Sequence, residues 1–124
     1  MKHRSSSVQR LIELNICQPS DIKQAEEEAR KLSTPEFSAK LRKAEKLVGA
    51  IGDSTRIKIL LLLSKRAMCV CELESALGLP QPTASHHLGL LEQADMLRRS
   101  KKGRFVFYEA QDSPVLELLK SLTS

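Results

Sequence analysis

Leu77-Gly78-Leu79-Pro80-Gln81-Pro82-Thr83-Ala84-Ser85-His86-His87-Leu88 is the stretch on which the fold turns. Gly78-Leu79-Pro80 is a turn between two short helical segments, residues 69–77 and 81–93. In the second, Ala84, Leu88 and Leu91 recur at helical spacing and face inward. Beyond it the period changes. Met96-Leu97-Arg98-Arg99-Ser100 and Arg104-Phe105-Val106-Phe107-Tyr108 read as two strands, with Lys101-Lys102-Gly103 as the turn and Gly103 able to supply a positive φ. Helix, tight glycine turn, helix and basic hairpin make a mainly α fold with a β-hairpin wing, a winged helix-turn-helix. In that architecture the first helix braces the phosphate backbone. The second lies in the major groove, and the hairpin tip reaches the adjacent backbone.

The charge distribution agrees. The chain carries a formal net charge of +5. Arg98, Arg99, Lys101, Lys102 and Arg104 fall in one seven-residue stretch that holds no acidic residue, and the other 117 residues carry 15 basic and 15 acidic groups. A local basic patch on a neutral body is the footprint of a nucleic-acid binder; a solvated hairpin, or one that meets an acidic protein, is the alternative. On the helix over 81–93, Gln81, Pro82, Ser85 and His86 share a face. Gln can pair with adenine, and Ser and His can bond base edges or phosphate. Thr83 and His87 flank that face and suit backbone contacts. Lys101, Lys102 and Arg104 on the wing suit phosphates.

Outward from the reader, the 124 residues are enough for one ordinary domain. Phe37, Phe105, Phe107 and Tyr108 are the whole aromatic complement, so the core is aliphatic and suits packed helices. Residues 1 to about 7 are polar and expected to fray. Val8, Leu11, Ile12 and Leu14 suit a helix over Val8–Ile16 that Cys17 closes. Ser20 or Asp21 is expected to cap a second helix running to about Leu32. Thr34-Pro35-Glu36 is a helix start for residues 35 to about 50, and Asp53 caps the helix that follows. A last helix, Pro114 to Leu122, places Val115, Leu118, Leu119 and Leu122 on one side. The expected organisation is an N-terminal helical extension, 1–34, and a DNA-binding and dimerisation domain, 35–124. The helices at 35–50 and 114–123 have no evident partner in so small a core and suit a homodimer interface, because such readers commonly grip two half-sites of double-stranded operator DNA. No apolar run is long enough to span a membrane, and the basic start leads into no signal core. Three cysteines outside any disulfide spacing suit a reducing, cytoplasmic setting.

Two of those cysteines, Cys69-Val70-Cys71, stand just ahead of the reader helix. A pair of buried structural thiols, a redox switch and a binding site for a soft ion are all compatible with that placement. On a regular helix residues i and i+2 point about 200° apart, so chelation by both is expected to unwind the first turn and to disturb the reader. A structural zinc site with His86 and His87 has the wrong spacing. A thiol enzyme would want Cys-x-x-Cys and a βαβ pattern, and neither is present.

Gly52-Asp53-Ser54-Thr55-Arg56-Ile57-Lys58-Ile59-Leu60, Cys69-Val70-Cys71-Glu72-Leu73, the Leu77–Leu88 stretch and Gly103-Arg104-Phe105-Val106-Phe107-Tyr108, in this order and spacing, resemble the ArsR/SmtB family of metal- and metalloid-responsive repressors. The resemblance covers roughly residues 35–123. It implies no enzyme and no permanent cofactor, but a homodimeric transcriptional repressor that releases its operator when an inducer ion binds. In the arsenic and cadmium/lead branches the ligands include a Cys-x-Cys pair, here Cys69 and Cys71, so As(III)/Sb(III) or Cd(II)/Pb(II) is the implied inducer. The arsenic branch often adds a cysteine where this chain has Glu74. Some cadmium/lead sensors draw thiols from an N-terminal extension, which is the place of Cys17. Pro80 stands where the family commonly has a capping Ser. Residues 112–124 hold Asp112 and Glu117 but no His, so the family's zinc-type site on the last helix is not expected. A thiol redox-responsive regulator of the same fold is the alternative function.

Overall fold

The computed structural model describes residues 6–124. Seven helices and three strands follow one another along these residues: α1 (Ser6–Glu13), α2 (Pro19–Lys31), α3 (Pro35–Ile51), α4 (Ser54–Leu63), β1 (Met68–Cys69), α5 (Val70–Leu77), α6 (Gln81–Gln93), β2 (Leu97–Lys102), β3 (Phe105–Ala110) and α7 (Pro114–Thr123). They form two compact units that divide within α3, after Leu41.

The first unit holds α1, α2 and the start of α3. The helix expected over Val8–Ile16 ends earlier, at Glu13, and Cys17 lies beyond it. Asn15 takes a left-handed φ of 62°, the N–H of Ile16 bonds to the Leu11 carbonyl and that of Asn15 to the Ile12 carbonyl. This is a Schellman ending, which Asn tolerates almost as glycine does. Most of the chain expected to fray before Val8 lies outside the described residues; Ser6 and Ser7 belong to α1. α2 also starts earlier than the expected cap. Pro19 takes the first helical position, and the Asp21 carboxylate reaches back to the Gln18 N–H at 3.3 Å. Asp21 thus closes the first turn from inside the helix. Thr34 does cap α3, accepting from the Phe37 N–H at 3.1 Å.

The second unit, Arg42–Ser124, carries the core. Asp53 caps α4 by accepting from the Arg56 N–H at 3.0 Å, and that bond holds its carboxyl below the usual range. Ile59, Leu60 and Leu63 of α4 meet Leu73 of α5, Leu88 and Leu91 of α6, Met96, Leu97, Tyr108 and Leu116 and Leu119 of α7. Each fully buried aliphatic side chain of this kind contributes about 1.5–3 kcal/mol. The last helix turns a different arc inward than its apolar stripe suggested. Leu116 and Leu119 are buried, whereas Leu118 and Leu122 are 54% and 70% exposed. Both arcs are leucine-rich, and the packing of α7 on α4 selects between them.

The sheet has the order β1-β3-β2, all antiparallel. Lys102 pairs with Phe105, so the turn is Gly103-Arg104 and not Lys101-Lys102-Gly103. Gly103 has φ 62° and Arg104 stays on the ordinary side, the pattern of a type II′ hairpin. Both lysines are strand residues. β1 was not expected at all; it is two residues long and pairs Met68 with Tyr108 and Cys69 with Phe107. A winged helix-turn-helix with a third short strand is the result.

Candidate nucleic-acid interface and thiol pair

α6 spans the expected 81–93 and presents what the sequence suggested. Ala84, Leu88 and Leu91 are buried, while Gln81, Pro82, Thr83, Ser85 and His86 are exposed. The turn before it works because Gly78 adopts φ 64° and lets the Leu79 N–H return to the Glu74 carbonyl, closing α5. α6 then starts on Pro80 without a side-chain cap.

His87 differs from its neighbour. It is half-buried, and its Nδ1 lies 3.0 Å from Arg56 Nη1. The same guanidinium donates through Nε to the Ala50 carbonyl at 2.6 Å and through Nη2 to the Gly49 carbonyl at 3.2 Å. Arg56 therefore satisfies carbonyls in the last turn of α3 and ties that turn to the middle of α6. Sequence reading singled out His87 for its place on the helix and passed over Arg56, because nothing local links residues 31 positions apart.

The five wing cations divide into two sets. Arg98 faces Glu109 across the hairpin, with Nε 3.3 Å from Oε1. Arg99 grips Glu92 of α6 with Nε and Nη2 at 2.9 and 2.8 Å, and lies 5.4 Å from the Tyr108 ring centroid. The Glu92 carboxylate holds the Arg99 guanidinium above its ordinary pKa. Among the described residues Lys101, Lys102 and Arg104 form no ion pair, and all three are exposed; the Lys102 Nζ sits 5.3 Å from the Phe107 ring centroid. These three, named from the sequence, are the wing cations with no carboxylate partner among the described residues.

The thiol pair sits at a junction, and here the expected geometry needs correction. Cys69 is not a helical residue. It ends β1 and precedes the first residue of α5 with extended dihedrals, φ −84° and ψ 169°. Cys71 is the second residue of α5, exposed, on the rim of an open surface hollow it shares with Arg66, Met68, Glu72, Ser75 and Ala76. The 200° divergence of two residues on one regular helix therefore does not apply to this pair. The turn is held by Glu72. One carboxylate oxygen accepts from the Cys69 N–H at 3.2 Å, and the other lies 2.6 Å from Arg66 Nη2. The Arg66 guanidinium, and then the Cys69 N–H, keep the Glu72 carboxyl below its usual range. Glu72 follows Cys69 by three residues, the spacing of a capping box; that signal was legible and was missed because Cys is not a usual cap. All three cysteines are free thiols. Cys17, half-buried, follows α1 in the first unit. Among the described residues no three Cys, His, Asp or Glu side chains gather into a group that could hold a metal ion. The donor chemistry of Cys69 and Cys71 fits a soft ion; the number of donors in that unit falls one short of three.

The pattern that defines bacterial regulatory proteins of the arsR family matches residues 53–99, from the cap of α4 into the wing. An uncharacterized HTH-type transcriptional regulator of Methanocaldococcus jannaschii is 43% identical over 82 residues, which cover 65% of this chain and 92% of that protein. A cadmium resistance transcriptional regulatory protein, a CadC homolog of Staphylococcus aureus, is 36% identical over 76 residues, covering 60% of this chain and 63% of the relative. In three dimensions the chain is similar to the homodimeric winged helix-turn-helix DNA-binding domain of a possible ArsR-family regulator from Mycobacterium bovis. The TM-score is 0.66 at 22% identity, over 73% of this chain and 83% of that one.

Proposed function

Because this chain belongs to the ArsR family of DNA-binding transcriptional regulators, we propose that it is a repressor that binds operator DNA as a homodimer and lets go when a thiophilic ion takes Cys69 and Cys71. The ion is arsenite or antimonite, or cadmium or lead, all of which prefer soft thiolate donors. The observation that carries the reading is the position of the two thiols at the entrance to the helix-turn-helix, where α5 begins and β1 pairs with the wing strand β3. A ligand that draws Cys69 and Cys71 together acts on the Cys69 N–H bond to Glu72 and on the Cys69–Phe107 pairing at once. Couplings of this kind are typically about 1–3 kcal/mol, or about 5–150-fold in affinity.

Cys17, the one further thiol of the sequence, takes the third ligand position in this reading, from either subunit. DNA is met by Gln81, Pro82, Thr83, Ser85 and His86 of α6 and by Lys101, Lys102 and Arg104 of the wing. His87 lies beside them, tied to Arg56. Support for the homodimer comes from the exposed leucines of α7 and from Val48 of α3, 63% exposed, which leave apolar surface open on the two helices expected at the interface. The Mycobacterium bovis domain is itself a homodimer. No helix among the described residues is long and apolar enough to cross a membrane, and a cytoplasmic regulator fits the free thiols.

The test is release of a bound duplex on titration with arsenite or cadmium, under dithiothreitol. Wild type is expected to dissociate and Cys69→Ser/Cys71→Ser to stay bound; Cys17→Ser separates a three-thiol from a two-thiol site. Equal release from wild type and the double variant would sink ion sensing. Release by peroxide, reversed by dithiothreitol and indifferent to the ions, would select the redox alternative.

A further inference from the structure

The bond between Arg99 and Glu92 joins the two parts that must reach DNA together. Glu92 is the penultimate residue of α6, and Arg99 is the third residue of β2. The guanidinium presents its Nε and Nη2 edge to both carboxylate oxygens, at 2.9 and 2.8 Å, the bidentate geometry that fixes direction as well as distance. Its Nη2 also lies 3.3 Å from the Tyr108 hydroxyl, and its Cζ sits over the Tyr108 ring, 5.4 Å from the centroid. Tyr108 is buried, faces Arg99 across the hairpin and pairs on its other side with Met68 of β1. Arg99 is thus held against a fixed platform in the sheet while it grips the end of the reader helix. Arg98, its neighbour, pairs with Glu109 inside the hairpin and does not reach α6.

We infer that Arg99 and Glu92 are positioning residues for DNA binding: they set the angle of the wing to α6, so that Lys101, Lys102 and Arg104 meet phosphate while Gln81–His86 lie in the groove. The chain between α6 and β2 is short, Ala94-Asp95-Met96, and turns through Asp95 at φ 58°. On the far side of that turn the Gln111 side chain bonds to the Asp95 and Leu97 carbonyls at 3.3 and 3.1 Å. The wing base is therefore held at two points, and the Arg99–Glu92 clasp is the one that touches the reader helix. An exposed ion pair adds little to folding stability, so the consequence lies in geometry, where two contacts on one ligand strengthen each other only if both can form at once.

The inference rests on the DNA-binding reading, and its test exploits a sign. Replacing an acidic residue near DNA normally tightens binding, because it removes repulsion from phosphate. Glu92→Gln is expected to do the opposite and weaken binding by about three- to tenfold, the scale of coupling within one ion-pair network. Glu109→Gln, an identical charge change whose partner stays within the hairpin, is expected to leave binding unchanged or tighter. The probe is a duplex selected by the wild-type protein from a randomised pool, and affinity is read as a function of salt. Loss of one phosphate contact lowers the salt slope by about 0.9, so Glu92→Gln, which lets the wing cations swing away from phosphate, is expected to flatten the slope as it weakens binding. Arg99→Lys, which keeps the charge but not the fork, is expected to weaken binding as Glu92→Gln does, and the double variant to cost no more than either alone. Thermal melting of each variant establishes that it is folded. Wild-type affinity or tighter in Glu92→Gln overturns the inference alone, whereas a wild-type protein that selects no duplex overturns the DNA-binding reading as well.

Discussion

Removing the three unpaired wing cations should change the salt dependence of DNA binding by an amount the structure sets. Lys101, Lys102 and Arg104 are exposed and have no carboxylate partner among the described residues, whereas Arg98 and Arg99 are committed to Glu109 and Glu92. Each phosphate neutralised contributes about 0.9 to the slope of log affinity against log salt, so Lys101→Gln/Lys102→Gln/Arg104→Gln should flatten it by about 2.7 per wing, or about 5.4 for a dimer that uses both. At a given low salt the variant binds more weakly. Its further loss between about 50 and 200 mM salt is smaller than that of wild type by roughly 40-fold per wing, from the same slope. Fluorescence anisotropy of a labelled duplex across that range measures both quantities. The hairpin should survive, since Gly103 still supplies its turn and Lys102↔Phe105 its last pair. A triple variant with the wild-type slope would show that the wing does not touch phosphate. A slope flattened equally by Arg98→Gln alone would refute the division of the five cations into engaged and free.

Other outcomes follow from single contacts. Leu88→Ala, at a side chain 1% exposed, opens a cavity in the core and should cost about 2–5 kcal/mol in urea unfolding. Ser113→Ala removes the acceptor of the Leu116 N–H at 3.1 Å and should cost about 1 kcal/mol, read as a lower urea midpoint at an unchanged m-value. Asp53 and Glu72 have carboxyls held below their ordinary values of 3.8 and 4.5. Their contribution is present above those values and is lost as pH falls through the lower folded-state values; an Asp53→Asn protein should show a shallower acid loss in pH-dependent thermal melting. Leu118→Glu/Leu122→Glu alters side chains that the core of the chain does not use, so the protein should still unfold cooperatively while sedimentation shifts from dimer to monomer.

What sequence alone determined about this protein is what short segments determine by themselves. Asp53 and Thr34 are caps because a side-chain oxygen reaches an N–H three residues on. α6 runs over Gln81–Gln93 because the Gly78 turn precedes it and its inward positions recur at helical spacing. The wing was legible from the change of period, although its turn lay one residue later than the basic cluster suggested, where Gly103 leads a two-residue loop. Only the tertiary structure decided the rest. β1 is too short to carry a periodic signal and exists because β3 offers it an edge, which moves Cys69 from a helix to a strand end. Which leucines of α7 are buried depends on how α7 lies on α4, since both of its arcs are apolar. Arg56 meets His87, and Arg99 meets Glu92, across gaps that no spacing rule bridges. Caps, turns and periodicity are satisfied within a few residues and so are written locally. A partner for a guanidinium or a strand edge is whatever the folded chain brings near, and that proximity is a property of the packing as a whole.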